Sequence, residues 1–323
     1  MHILIIGGAG MIGRKLAARL AVAGRLGDQE IGRLTLFDVV AAETPQQVGF
    51  DVKVETGDLS TPGMAERLIA EKPDVIYHLA AIVSGEAEQD FDKGYRINLD
   101  GTRFLFDAVR KVPDYTPRVV FTSSIAVFGA PFPDAIGDEF HTTPLTSYGT
   151  QKAMGELLLA DYSRRGLLDG VGIRLPTICV RPGKPNKAAS GFFSNIIREP
   201  IVGQEAVLPV EDDVRHWHAS PRSAVGFLTH AATMDTELLG ARRNLAMPGV
   251  SVTVGEQIAA LRTVVGEAAV KLIRREPDST IIKMVAGWPQ NFDATRATKL
   301  GFAADSSFEA IIKSHIEDEL PPA

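Results

Sequence analysis

The stretch HILIIGGAGMIGRKLAARLAVAG, residues 2–24, joins a short β-rich apolar run to a helical pattern through a glycine-rich turn. Gly7, Gly10 and Gly13 stand three apart within GGAGMIG. Glycine at such positions lets the backbone turn sharply and approach a pyrophosphate, and the N-terminus of the following helix offers unpaired N–H donors and a partial positive charge. A lone glycine triplet is weak evidence. Its strand-turn-helix context makes this one a candidate dinucleotide cradle, with Gly7, Gly10, Met11, Ile12 and Gly13 lining it.

The same rhythm continues outward. RLTLFD (33–38), DVKVETGD (51–58) with GMAERLIAE behind it, DVIYHLAA (74–81), RVVFTSS (118–124) and VGIRLPT (171–177) are β-rich runs, several of them apolar on both faces. Strands of that kind alternating with helices predict an α/β fold, a Rossmann-type doubly wound parallel sheet whose ligand lies at the carboxyl ends of the strands. From Thr177 the pattern changes to VRPGKPNKAASGFFSN, a connection rich in Gly, Pro, Asn and Ser, and long ordered connections often carry function. The expected division is a nucleotide-binding domain over 1–176 and a smaller, mainly substrate-binding region over 177–323, with some elements returning to the first. Later helices are expected at 221–233, 255–266 and 307–319, and a strand at NLAM, 244–247.

Bulk properties narrow the partner. The 323 residues are 45% hydrophobic and 23% charged, an ordinary globular composition, and the formal charge of -6 argues against a nucleic-acid or anionic-membrane surface. A small molecule is the expected ligand. Cys179 is the only cysteine, which excludes an internal disulfide and a multi-thiolate metal site, and its apolar surroundings suggest a packed, inert thiol. The first apolar run is too short for a signal peptide or a membrane span, so a cytoplasmic protein is expected. His216 and His218 in RHWHASPR have a spacing a strand could offer to a metal, but no Asp, Glu or Cys partner is evident, and no metal is expected.

Two carboxylates follow strands. Asp38 ends the second strand, where it could accept the adenosine ribose hydroxyls and repel a 2'-phosphate; Val39 and Val40 stand where an arginine would favour NADP, so NAD is the expected cofactor. Alternatively Asp38 is a turn residue. Asp58 in GDL would lie beside the adenine, or is an ordinary turn carboxylate. In SYGTQK, residues 147–152, Tyr148 and Lys152 fall on one face of a helix at i and i+4, either as a surface pair or as a proton-transfer unit.

Six motifs in order, GGAGMIG, GDL (57–59), HLAA (78–81), NLDGT (98–102), FTSSIAVFG (121–129) and YGTQK (148–152), resemble the extended short-chain dehydrogenase/reductase family over almost the whole chain. The resemblance implies Tyr148 as acid/base, Lys152 as its helper on the nicotinamide ribose, and Ser124 as the hydroxyl donor to the reacting oxygen, with Ser123 a structural partner. It implies Leu59, Leu79, Ala80, Ala81, Asn98 and Thr122 as further cofactor contacts; Asn98 could instead be a plain helix cap. Lowering a phenol pKa from about 10 to about 7 needs about 4 kcal/mol, which a close ammonium and a charged nicotinamide could supply. A homodimer through the helices holding 98–109 and 148–159 is implied by the resemblance alone.

Relatives include nucleotide-sugar epimerases and dehydrogenases of small hydroxy acids. The nucleotide-sugar members usually carry an R-D-Y-x-H-V-x-D pattern where this chain reads RHWHASPR, with His216 and Arg222 replacing two acidic positions. That departure, and the stretch RLPTICVRPGKPNKAASGFFSNIIREP, point to a short sugar acid, oxidised by hydride transfer. Its carboxylate and hydroxyls need a cationic or multi-donor clamp, for which Ser124, Tyr148, Thr177, Asn186, Ser190 and Arg215 are the candidates. Arg215 and Arg222 could equally be solvated, Asn186 a turn former and Thr177 a strand end. The rival reading is a nucleotide-sugar epimerase or dehydratase with tightly held NAD.

Overall fold

The computed structural model describes residues 1–46, 48–183 and 189–320. Its centre is β1 (His2–Ile6), whose Ile3, Leu4, Ile5 and Ile6 are all buried. Alternation along the strand sends Ile3 and Ile5 to one face of the sheet and Leu4 and Ile6 to the other, so four apolar residues in a row are what a sheet covered on both sides requires.

The sheet is completed by β2 (Arg33–Asp38), β3 (Asp51–Thr56), β4 (Val75–His78), β5 (Arg118–Ser124), β6 (Asp169–Leu175) and a late strand, β9 (Asn244–Ala246). All pairings are parallel, in the order β3-β2-β1-β4-β5-β6-β9. The order reverses between β1 and β4, and the crevice above that switch point is where such sheets bind ligands.

One face is covered by α1 (Met11–Ala23) and α6 (Pro221–Thr233), through Leu16, Leu20, Phe227 and Leu228. The other carries α2 (Met64–Ile69), α3 (Gly101–Arg110) and α4 (Ser147–Arg164), through Leu68, Ile69, Leu105, Phe106 and Leu159. Each fully buried Leu or Ile contributes about 1.5–3 kcal/mol against the entropy of ordering the chain.

After β6 the chain leaves the sheet. β7 (Thr177–Ile178), β8 (Arg215–Ala219) and β10 (Val250–Thr253) form a small three-stranded sheet with β8 in the middle. A separate apolar cluster gathers α5 (Gly191–Ile201), α7 (Val254–Val264) and α8 (Phe308–Glu319) around Cys179, Phe193, Leu261 and Ile311. β9 and α6 go back to the large sheet from this late part of the chain.

Of the two readings open for Asn98, the helix cap falls away. Asn98 does not cap a helix: it lies inside a π-helical turn, Tyr95–Asp100, that runs directly into α3. Such turns mark places where a helix is distorted to aim a side chain.

Candidate active site

The phosphate cradle is built by contact between backbones. Gly7, at φ 99°, lies so close to the segment after β4 that a Cβ on it would stand 2.7 Å from the Ala80 nitrogen, and a Cβ on Gly13 would collide with the Gly7 carbonyl. The amides of Leu79 and Ala80 both donate to the Ile6 carbonyl, at 2.8 and 2.9 Å, fixing this segment against the glycine turn. α1 starts at Met11 with no side-chain cap and no acidic residue in its first turn, so the first N–H groups face the turn without a partner from the helix itself. Backbone approach, orphan donors and a helix N-terminus fit a pyrophosphate.

The Asp38 carboxylate ends β2 and accepts from the amides of Ala9 (2.9 Å) and Val39 (2.7 Å), tying the strand end to the glycine turn while leaving lone pairs for another donor. Asp58 is held by Ser60 and by Arg96, whose Nη1 donates at 2.7 Å. Leu59 is buried beside it and packs against Gly101. Asn98 accepts from the Ile82 amide at 2.9 Å and donates to the Ile82 carbonyl and to Gln151 Oε1. It thereby clamps the segment after β4, which contains Leu79, Ala80 and Ala81, to the helix carrying Tyr148.

Helix α4 begins at Ser147 because Thr146 caps it, its Oγ1 accepting from the Gly149 amide at 3.0 Å. Gly149 is then forced by proximity: any Cβ there would strike the carbonyl of Ala126 in the turn after β5. The missing side chain lets the first turn of α4 settle on the SSIAV segment and brings Tyr148 beside Ser124. Ser124 Oγ accepts from the Ala126 amide at 3.2 Å, whereas Ser123 points the other way and donates to Glu156 at 2.5 Å. Glu156, one turn beyond Lys152, is paired through both oxygens with Arg174, at 2.9 and 2.7 Å.

Lys152 is buried, with Nζ donating to the Thr122 carbonyl at 2.8 Å and lying 5.8 Å from the Tyr148 ring centre. Thr122 Oγ1 donates in turn to the His78 carbonyl at 3.0 Å. Burial pushes the Lys152 ammonium down to about 8, with the Glu156 carboxylate opposing it. Burial pushes the Tyr148 phenol above its ordinary value, and Ser124 and the charge of Arg181 pull it back only in part. The lowered phenol that the sequence reading requires is therefore not produced by this chain's side chains alone: desolvation outweighs them, and the ammonium is held on Thr122.

In the small three-stranded sheet, Thr177 and His216 face each other, Oγ1 to Nε2, at 2.6 Å. His216 stacks on Phe193 with centroids 5.1 Å apart, and burial pushes it down to about 4, so it is neutral near pH 7. Among the described residues no group of His, Cys, Asp or Glu is placed to hold a metal. Cys179 is buried against the Phe193 carbonyl, with its thiol pushed up to about 12. Arg215 is engaged elsewhere, donating to Ser251 O at 3.0 Å and pairing with Glu256 at 3.1 Å. Arg222 pairs with Glu317 and Asp318 at the end of α8. Asn186 lies outside the described residues.

Ser190 accepts from a residue the sequence reading passed over. Arg181 Nη2 donates to Ser190 Oγ at 2.9 Å and its Nε to the Ile178 carbonyl at 3.0 Å. The signal was present as a single cation directly after the apolar run TICV. Nothing local distinguished it from a surface charge.

With this geometry described, comparison with known proteins places the chain in a class. Residues 3–239 match the NAD dependent epimerase/dehydratase family, and the chain belongs to that family, within the extended short-chain dehydrogenases/reductases, enzymes that act on CH–OH groups with a nicotinamide cofactor. It is 47% identical to a D-erythronate dehydrogenase of Cupriavidus necator, over 98% of each chain. It is 43% identical to a D-erythronate dehydrogenase of Haemophilus influenzae, over 99% of this chain and all of that one. A crystal structure described as the nucleoside-diphosphate-sugar epimerase from Agrobacterium tumefaciens is 68% identical, with a TM-score of 0.97, over 99% of this chain and 94% of that one. No helix among the described residues is long and apolar enough to cross a membrane.

Proposed function

We propose that the protein oxidises D-erythronate at C2 to 2-oxo-erythronate with NAD. What carries the substrate is the end-to-end likeness to two proteins of that name from different organisms; what supports the chemistry is the meeting of Tyr148, Ser124 and Lys152 at the carboxyl end of β5. Ser124 holds the C2 oxygen and Tyr148 takes the hydroxyl proton, while the C2–H bond breaks and the C2=O bond forms. The nicotinamide, when bound, supplies the hydride acceptor and a positive charge. Because the phenol is raised in the protein alone, that charge is the contribution that brings Tyr148 into the range of a useful base. Lys152 holds the ribose with the same ammonium that donates to Thr122, and the Gly7 to Gly13 turn and Asp38 hold the pyrophosphate and the adenosine ribose. NAD is favoured over NADP because Asp38 stands beside the exposed Val39 and Val40, where no cation would accept a 2'-phosphate. A homodimer through α3 and α4 would cover Leu157, which is 69% exposed on α4.

A second reading, redox-neutral epimerisation of a nucleotide sugar, is favoured by the description of the 68% identical Agrobacterium protein. The deciding experiment is optical: purified protein with NAD is offered D-erythronate, L-threonate and, separately, UDP-sugars. NADH formed from the four-carbon acid is the expected result. No NADH from any acid, with an epimerised UDP-sugar instead, would reject the proposal.

A further inference from the structure

Arg181 has unfinished chemistry. A guanidinium carries five N–H donors, yet this one gives its Nε and Nη2 to neutral oxygens, and Nη1 has no hydrogen-bond partner among the described residues. No carboxylate among the described residues lies within 4 Å of it, although the neighbouring Arg198 is paired with Glu199. Its own backbone is fixed from two sides: the amide donates to Ser194 Oγ at 3.0 Å, and the carbonyl accepts from Arg198 Nη1 at 2.7 Å. The side chain is therefore positioned on a rigid base, half-buried and partly stripped of water, while no described carboxylate compensates its charge, and a desolvated charge without a counter-ion is costly.

The surroundings say where the missing anion belongs. The ionisable groups that sense the charge of Arg181 are Tyr148, Cys179, His216, His218 and a second cation, Arg198. Burial keeps Cys179 neutral near pH 7, and the histidines have no negative form to offer, so none of them balances it. Tyr148 is the proposed base. An anion held by this fork would thus share the electrostatic surroundings of Tyr148, and a 2-hydroxy acid has its carboxylate one bond from the carbon that is oxidised.

We infer that Arg181, oriented by Ser190 and Ile178, is the clamp for the carboxylate of the substrate, and that it makes the enzyme selective for 2-hydroxy acids over neutral polyols. This rests on the acid-oxidising reading above. Arg181 here replaces Arg215 as the cation of the clamp, because Glu256 already compensates Arg215.

The test compares wild type with Arg181→Gln and Arg181→Lys on D-erythronate, on the neutral amide of D-erythronate, and in NAD binding. Removing one partner of a buried charge pair is expected to raise KM for D-erythronate about 100-fold or more, with NAD affinity unchanged. Arg181→Lys, which keeps the charge but not the fork, should lie between. On the amide, wild type and Arg181→Gln should differ by less than about threefold. Should Arg181→Gln fail to fold, wild type still decides: it must prefer the acid to its amide by about the same large factor. Wild type that oxidises D-erythronate while the variant keeps its KM, or that accepts the amide equally well, overturns the clamp alone. Wild type inert toward every acid but active on a UDP-sugar overturns the clamp and the function together.

Discussion

The two sides of the cleft are built by different physics. The side proposed for the cofactor is made of backbone: glycines at van der Waals limits, strand ends, a helix N-terminus, and Asn98 bonding to the main chain of Ile82. The side proposed for the substrate is made of half-buried polar side chains, Thr177 on the buried His216 and Arg181 on Ser190 and the Ile178 carbonyl, up to 39 residues apart in sequence. A backbone site tolerates no added atoms but asks little of charge, whereas a side-chain site can be redrawn by one substitution. This is how a single fold hosts different substrates over one cofactor chemistry.

Four variants would break or sharpen that contrast. The largest effect is expected for Tyr148→Phe, which removes the proposed proton acceptor without changing shape: turnover should fall 10²–10⁴-fold or more with NAD affinity retained, measured by NADH formation and by calorimetry. Loss of NAD binding instead would place Tyr148 on the cofactor side only. Gly13→Ala should act oppositely, abolishing NAD binding and costing a few kcal/mol in a denaturant titration, because its Cβ has no room beside the Gly7 carbonyl.

Lys152→Met tests the buried charge. The lysine's folded pKa, about 8, lies below its unfolded 10.5, so the folded protein binds this proton more weakly and the charged form destabilises it at pH 7. That depression is equivalent to about 3 kcal/mol. The variant's stability relative to wild type should therefore decline by about that much as pH rises from 7 to 10.5, in paired urea titrations; a difference independent of pH would mean the ammonium is not strained by burial. The smallest effect is expected for Arg215→Ala, whose pair with Glu256 is open to solvent: about 1 kcal/mol or less, with KM for D-erythronate raised far less than by Arg181→Gln.

The order of strands and the cofactor turn were legible because they follow local patterns, periodicity and glycine spacing, which survive reading a few residues at a time. Helix α6 begins and ends where Pro221 and Thr233 suggested, since Pro at the first helical position and the Ser220 cap are local signals. Tyr148 with Lys152 was legible as an i, i+4 pair, and the fold puts Ser124 beside them from a strand more than twenty residues earlier. Illegible were the relations that depend on burial and on long-range partners. Asn98 reads as a helix cap from its type alone, and only the tertiary structure shows it embedded in a π-helical turn. Arg215 and Arg181 look alike in sequence; what separates them is that Glu256 reaches one and no described carboxylate reaches the other. The opposing effect of burial on the Tyr148 phenol was illegible for the same reason, because desolvation has no signature in spacing.

The position of β9 bears on how the molecule is made. This strand, residues 244–246, pairs with β6 at the margin of the parallel sheet, some seventy residues after β6 has been synthesised. During translation β6 therefore waits with an unpaired apolar edge, the kind of surface through which chains associate wrongly. A fragment ending at residue 239, where the family match stops, would keep Ser124, Tyr148 and Lys152 and still lack the strand that covers this edge. Such a fragment is expected to self-associate, and the edge of β6 is covered only when the last quarter of the polypeptide arrives.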